Sequence, residues 1–396
     1  MLLVFLTFLR LGLTSFGGPV AHLGYFRAEF VARRGWLDEA AYAEIVALCQ
    51  LLPGPASSQV AIAIGLRRAG LAGAVAAWIG FTAPSVLIML AAAYGIADLG
   101  GAAAAPWLHG LRITAVAVVA LAVWNMARTL SPDRNRLSIV VAAAGIALAV
   151  PTAWGQVAAI VFGALIGSLL PPASEPPASA HPPGPAVGRR RGMIALAMLV
   201  VLLLGLPILA AARDEQTLRL FSAFFRTGSL VFGGGHVVLP LLRAEVVPPG
   251  WVSDDAFLAG YGFAQAMPGP LFSFAAYLGA VSGPEPNGWR GGLIAIVAIY
   301  LPSFLLVVGV LPFWDSLRRL PTTRAALRGV NAAVVGLLLA ALYDPVWIGA
   351  IHSPTDFFLA AAVLIPLAVW KAPPWLMVIL GALGGYCLDQ TGAIFG

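Results

Sequence analysis

The chain is poor in charge, cysteine and histidine. Of its 396 residues 60% are hydrophobic and only 10% are Asp, Glu, Lys or Arg. A soluble domain of ordinary composition carries about a quarter charged residues, so a water-soluble globule is excluded. The two cysteines, Cys49 and Cys387, lie far apart inside apolar segments, which rules out a disulfide framework or a zinc knuckle. The five histidines (His22, His109, His181, His236, His352) show no HExxH spacing, and neither a G-x-S-x-G elbow nor a Walker motif occurs. A membrane-embedded hydrolase and an ATP-driven pump lose their usual signatures with them. No cofactor and no metal site is expected. The net charge of +6 is spread as arginines at loop ends, without a basic patch interleaved with aromatics; nucleic acid is not an expected partner.

What remains is a run of apolar segments near the ~20 residues that a bilayer requires, among them 72–97, 113–127, 193–212, 292–312 and 357–370. They lack period-2 alternation, so they read as helices rather than barrel strands. "MLLVFLTFLRLG" has no basic start and carries an arginine within the apolar run, and it reads as an uncleaved first helix.

The chain repeats itself. "FLTFLRLGLTSFGGPVAHLGYFRAE" at 5–29 aligns without gaps to "FSAFFRTGSLVFGGGHVVLPLLRAE" at 221–245. Eleven of the 25 positions are identical: Phe5, Phe8, Arg10, Gly12, Phe16, Gly17, Gly18, Leu23, Arg27, Ala28 and Glu29. The match continues through "QLLPGP" at 50–55 and "QAMPGP" at 265–270, then "APSVLI" at 83–88 and "LPSFLL" at 301–306. Four parts follow: a first half, 1–170; a Pro-rich linker, 171–192, cytoplasmic by its arginines Arg189, Arg190 and Arg191; an extra helix, 193–215; and a second half, 216–396. Six apolar segments precede the linker, and the extra crossing would invert the second copy. The expected fold is therefore an all-α polytopic membrane protein with about 13 apolar segments and an inverted-topology repeat. Arg128, Arg134 and Arg136 in one copy and Arg318, Arg319 and Arg324 in the other occupy non-equivalent loops, as inversion requires. Arg27, Arg33 and Arg34 fit that orientation less well. Reshuffling 171–188 should leave activity unchanged if the arginines stay.

Each copy also breaks its helices twice. Proline and glycine in the middle of an apolar stretch strand polar backbone, which is tolerated at membrane depth only where protein or a polar cavity covers it. Broken helices in inverted-repeat transporters aim half-helix N-termini at anions. Pro53, Pro55, Pro268 and Pro270 read as structural breaks. Gly54 and Gly269 lie inside them, and Ser57, Ser58 and Ser273 follow with amides and hydroxyls expected to be free. Gln50 and Gln265 precede each motif by three residues. The second break is a glycine pair, Gly17–Gly18 and Gly233–Gly234, where backbone can approach a ligand; His236 lies beside the second pair. Arg10 and Arg226 sit six residues earlier, and their planar donor forks suit an oxyanion. Helix packing by the glycines and snorkelling by the arginines are the plainer alternatives. Arg112 and Asn331 are aligned polar residues of second rank. Glu44 and Asp389 are the expected membrane carboxylates, and neither is repeated.

"FLRLGLTSFGGPVAHLGYFRAEFV" with "QLLPGPASSQVAIAIG", repeated as "FFRTGSLVFGGGHVVLPLLRAEVV" with "QAMPGPLFSFAAYLGA", resembles the chromate ion transporter family in its two-domain form. The resemblance implies two halves of opposite orientation in a bacterial inner membrane, secondary export of chromate, and chromate resistance. It places the family's motif on Arg10, Gly12, Phe16, Gly17, Gly18, Gln50, Pro53, Gly54 and Pro55 and on their second-half equivalents. Sulfate has the same shape and charge and is an expected competitor. Uptake or exchange of sulfate or another oxyanion, and an anion channel, are the alternative functions; the bilayer is a partner, and a homodimer is left open.

Overall fold

The computed structural model describes residues 1–16, 18–98, 105–150, 152–170, 187–213, 215–232, 238–317 and 320–395. The candidate residues Gly17, Gly233, Gly234 and His236, Pro151, and linker residues 171–186 lie outside them. All regular secondary structure among the described residues is helical. Large apolar side chains are widely exposed, Val201, Leu204 and Ile208 among them. Trp154 and Trp370 lie exposed near helix ends, where indole suits a membrane–water interface. Such a surface belongs in a bilayer, and the chain is a multi-pass membrane protein.

Among the described residues, five helices are long and apolar enough to cross: Ala56–Gly95, Leu108–Leu130, Arg189–Ala212, Gly288–Phe313 and Arg324–Trp347. The first two apolar stretches, 2–25 and 40–65, divide into short pieces. In the first half these are α1 (Leu2–Thr14), α2 (Gly18–Arg27, running on as a π-helix through Arg33) and α3 (Glu39–Leu51). A helix of 13 residues rises only about 20 Å, short of a ~30 Å hydrocarbon core. The long α4 (Ala56–Asp98) folds back on itself: helical dihedrals fail at Ala69 and Gly70, and Gly65 and Gly73 come into contact. α5 (Ala105–Leu130) follows, then α6 (Arg134–Ala149) and α7 (Ala153–Leu169).

α8 (Arg189–Ala212) belongs to neither copy. It starts four residues before the expected boundary at 193, so the three arginines form its first turn rather than the end of the linker. Long cationic side chains at a helix end can reach the headgroups while their stems stay apolar.

The second half repeats the pattern. α9 (Gln216–Leu230) answers α1, α10 (Val238–Val246) answers α2, and α11 (Asp254–Ala264) answers α3. A 3₁₀ turn (Leu271–Ser273) with α12 (Phe274–Val281), then α13 (Gly288–Val310), answer the two arms of α4. The short α14 (Trp314–Leu317) leads into α15 (Pro321–Ala341), α16 (Pro354–Ala368) and α17 (Pro374–Phe395).

The halves interlock by exchange. α6 and α7 of the first half pack on α15 of the second, and α16 and α17 of the second pack on α5 of the first. The close approaches are reciprocal as well: Gly163 meets Gly329, and Gly110 meets Gly381. Removing Cβ at such crossings lets two backbones touch, the usual way helices gain contact where lipid offers no hydrophobic drive. The largest buried cluster joins both halves, from Met89, Ile113 and Val140 to Phe224, Tyr277, Tyr300 and Val335.

Candidate functional site

Two broken-helix tips in each half meet those of the other. The Gly54 amide donates to the Val231 carbonyl at 2.5 Å, and the Gly269 amide donates to the Ser15 carbonyl at 2.9 Å. Ser15 and Val231 are aligned residues, as are Gly54 and Gly269. Each Pro-Gly-Pro break therefore satisfies the break behind the first helix of the other copy, as buried backbone demands. Ser303 borders Gly54 and the aligned Ser85 borders Gly269, so the exchange extends to side chains. Gly54 and Gly269 take φ of +121° and +88°, a region open to glycine and costly to other residues.

Local chemistry explains how each tip forms. Asp38 caps α3, accepting from the Ala41 amide at 2.7 Å. The helix ends where Leu52 turns extended before Pro53, as a residue preceding proline prefers. Pro55 then caps α4: the Gln59 amide reaches its carbonyl at 2.9 Å. The amides of Ala56, Ser57 and Ser58 are thus the unpaired first turn of a helix, as the sequence suggests. The second copy departs from this. A 3₁₀ turn closes behind Pro270, and both the amide and the hydroxyl of Ser273 donate to the Pro270 carbonyl, at 3.1 and 2.6 Å. Ser273 has no free donor there, contrary to expectation, because an i→i+3 bond uses it.

A cavity of about 180 Å³ opens beside the second tip. Gly18 and Pro19 line it from the start of α2, Gln265 and Gly269 from the second Pro-Gly-Pro, Asn125 from α5, and Leu367 and Pro374 from either end of the α16–α17 turn. The structure thus brings together Gly18, Gln265 and Gly269 from the candidate set and adds Asn125, whose signal was a polar residue late in an apolar helix. The Gln265 amide is buried beside the Tyr261 hydroxyl, one turn earlier, and its nitrogen makes no hydrogen bond of good geometry. Gln50, the aligned glutamine, is exposed and does not line this cavity. A neighbouring apolar groove of about 280 Å³, lined by Phe16, Ile88, Phe263, Met267 and Trp375, offers no polar group to an anion.

Around the first tip the polar groups are closed in. His22 Nδ1 lies 3.3 Å from Ser57 Oγ, Ser58 Oγ lies 3.4 Å from the Tyr300 hydroxyl, and Gln59 Nε2 donates to the Pro53 carbonyl at 2.6 Å. Ser15 Oγ, His22 Nε2, Gln59 Oε1 and Ser303 Oγ are buried there without partners. Each such group costs roughly 1–3 kcal/mol when nothing compensates it. The aligned positions of the second copy are Val238, Phe272 and Phe274 in place of His22, Ser57 and Gln59, so these three polar side chains are not repeated.

The sequence pattern of the family described as Chromate transporter matches residues 2–168 and again 218–386. The chain belongs to that family. The transporter is 28% identical to a protein named chromate transport protein from Pseudomonas aeruginosa, the alignment covering 96% of this chain and 90% of that one. It is equally similar, at 28% and the same coverage, to the chromate transport protein of Cupriavidus metallidurans. A Bacillus subtilis protein described as an uncharacterized transporter matches over 170 residues, 42% of this chain but 93% of its own, so a single half exists elsewhere as a chain of its own. No solved structure matches the transporter. Its relatives are named for transport, and it is read as a transporter rather than an enzyme.

In this transporter neither Arg10 nor Arg226 lines the cavity. Arg10 pairs with Glu29 at 3.4 Å, and Arg226 holds Glu245 through both carboxylate oxygens, with Nε to Oε1 at 2.7 Å. The two glutamates are aligned, nearly buried carboxylates that sequence reasoning passed over in favour of Glu44 and Asp389. Their signal was present: Glu29 is one of the identities of the repeat. Glu44 is buried and accepts from Trp314 Nε1 at 2.9 Å, while the Asp389 side chain lies outside the described residues. Arg33 and Arg34 pair with Glu29 and Arg27 with Glu39, but acidic partners count for little in the positive-inside rule, so the misfit of these arginines stands. Arg112 pairs with Asp255 at 2.5 Å, tying α5 to α11.

Proposed function

We propose that the protein exports chromate from the bacterial cytoplasm across the inner membrane as a secondary transporter, and that this confers chromate resistance. The observation that carries the reading is the cavity at the meeting of the tips. A doubly charged oxyanion placed there meets the first turn of α2, the positive end of that helix and the buried amide of Gln265. Gly18 leaves the backbone bare for close approach, and Asn125 supplies a further donor. Ser57 and Ser58, with their own free amides across the tip at Gly54, form the second polar station of the path. Arg10 and Arg226 act at a distance by holding their glutamates and fixing the hairpins that carry the tips.

Opposite orientation of the halves is part of this proposal. One unpaired helix, α8, separates the copies; the two tips bond crosswise; and the arginine clusters of the copies fall at non-equivalent loops. With the arginines cytoplasmic, the cavity lies against the late part of α5, which leads to Arg128 and Arg134, so cytoplasmic chromate reaches it. A cell interior that is negative favours exit of a dianion by roughly 4.6 kcal/mol per 100 mV, at 2.3 kcal/mol for each charge, without ATP.

Everted vesicles with an imposed potential, positive inside, test the proposal. They are expected to accumulate chromate saturably, with sulfate competing; uptake no greater than in vesicles lacking the protein refutes it, and flux that never saturates indicates a channel. Gln265→Ala removes a hydrogen bond to a charged group, a loss of about 1.5–3 kcal/mol. It is expected to raise the half-saturating chromate concentration by about 10- to 100-fold. Unchanged half-saturation in that variant moves the anion out of this cavity.

A further inference from the structure

At the end of α5 away from Asn125, three ligand-bearing side chains converge that the transport reading does not use. His109 comes from α5, His352 from the loop before α16, and Asp356 from the first turn of α16. One ligand atom from each lies within 4.8 Å of the other two. We propose that His109, His352 and Asp356 bind one divalent cation of the zinc class, clamping α5 to α16.

The carboxylate is prepared for this. Asp356 is buried, and its Oδ2 accepts from the amides of His352 and Ser353, both at 3.0 Å. Those bonds fix the orientation of the group and leave Oδ1 facing His109 Nε2 at 2.9 Å, the kind of outer support that ligating carboxylates receive. The two imidazole rings lie 6.1 Å apart, centroid to centroid, inclined at 23°. A tetrahedral zinc ion, with bonds of about 2.0–2.2 Å, sets its ligand atoms roughly 3.4 Å apart. The His109–Asp356 pair is already near that separation. His352 is exposed on a loop, so rotation of its side chain closes the remainder. Two imidazoles and one carboxylate leave the fourth position to water, on the exposed side of the set. Imidazole nitrogen with carboxylate oxygen suits zinc, nickel or cobalt over the harder calcium and magnesium. No spacing in the sequence announces the set, because its members are separated by up to 247 residues. The repeat does not announce it either: Arg328 occupies the position aligned with His109.

A bound ion would tie together the two helices whose other ends, at Asn125 and Leu367, line the cavity. The test uses the full chain purified in detergent, free of any histidine tag and stripped with chelator, titrated with zinc chloride in a calorimeter. One equivalent is expected to bind and to raise the midpoint of thermal unfolding. His352→Ala, at an exposed loop position where folding is not at risk, and His109→Ala are each expected to weaken binding at least by the roughly tenfold that losing even an outer-shell partner costs. His181→Ala in the linker is expected to leave binding unchanged. No binding by the unmodified chain overturns the proposal, as does His352→Ala binding zinc as the unmodified chain does, or His181→Ala abolishing binding. None of these results depends on chromate transport.

Discussion

Gly54→Ala is expected to yield a protein that reaches the membrane and transports almost no chromate. Gly54 sits at φ +121°, and holding a non-glycine residue in such a region costs on the order of 1–3 kcal/mol. An alanine Cβ there would lie 2.5 Å from Gln59 Nε2 and 2.8 Å from Ser303 Oγ. To make room, the Gln59 amide must leave the Pro53 carbonyl or the tip must move off Val231. Either change dismantles the crosswise bond that joins the halves, while the helices that carry insertion stay intact. Gly269→Ala suffers similar backbone strain at φ +88°, but its nearest neighbour, Ser85 Oγ, is 3.0 Å away. Its loss should therefore be the smaller of the two. Gly95→Ala is the control: nothing lies within 4 Å of the added methyl, and alanine favours a helix by up to about 1 kcal/mol over glycine. Chromate uptake by everted vesicles, normalised to the amount of protein in the membrane, separates the three. Normal uptake by Gly54→Ala would show that the tip contact is not needed for transport.

The second large effect is expected at Arg226, and it is an effect on stability. Arg226→Ala strips Glu245 of the guanidinium that holds both its oxygens, and the Glu245 side chain is only 9% exposed. Leaving a buried carboxylate unpaired costs about 3–5 kcal/mol, with the lower figure favoured because Arg226 itself is 32% exposed. Arg10→Ala is expected to be much milder. Glu29 keeps Arg33 at 3.0 Å and Arg34 at 2.6 Å, and Arg10 is 55% exposed at a separation of 3.4 Å. The aligned arginines, equivalent in sequence, should thus differ by several kcal/mol. Adding Glu245→Ala to Arg226→Ala removes the stranded charge and should restore much of the loss. Thermal unfolding in detergent and the yield of membrane-inserted protein measure all three. Equal destabilisation by the two single arginine variants would overturn the argument from partner number.

Much of the site was legible from the duplication. Two copies that keep Pro-Gly-Pro and a glycine pair at matched positions mark the breaks, because neither residue type persists in an apolar run without a local reason. The repeat also held the contrast between His22, Ser57 and Gln59 and their apolar counterparts Val238, Phe272 and Phe274, and the retained Glu29 and Glu245. The arginines were harder to read. A guanidinium six residues before a break suits an anion, but a glutamate 19 residues further on is a partner that only the return of the hairpin brings near. Ser273 is hidden from the sequence in the same way: its donors go to the Pro270 carbonyl only because the turn there closes as 3₁₀.

By itself the sequence determined that this is a helical membrane protein, built from two copies of one unit and interrupted at two places in each. Hydropathy, proline and glycine act locally, so they can be read along the chain. Only the tertiary structure decided that the interruptions bond across the copies, that Gln265 lines the cavity beside the second tip while Gln50 is exposed, and that the arginines answer to glutamates. Those outcomes depend on which segments lie side by side, and two aligned residues can meet different neighbours once the halves exchange their helices.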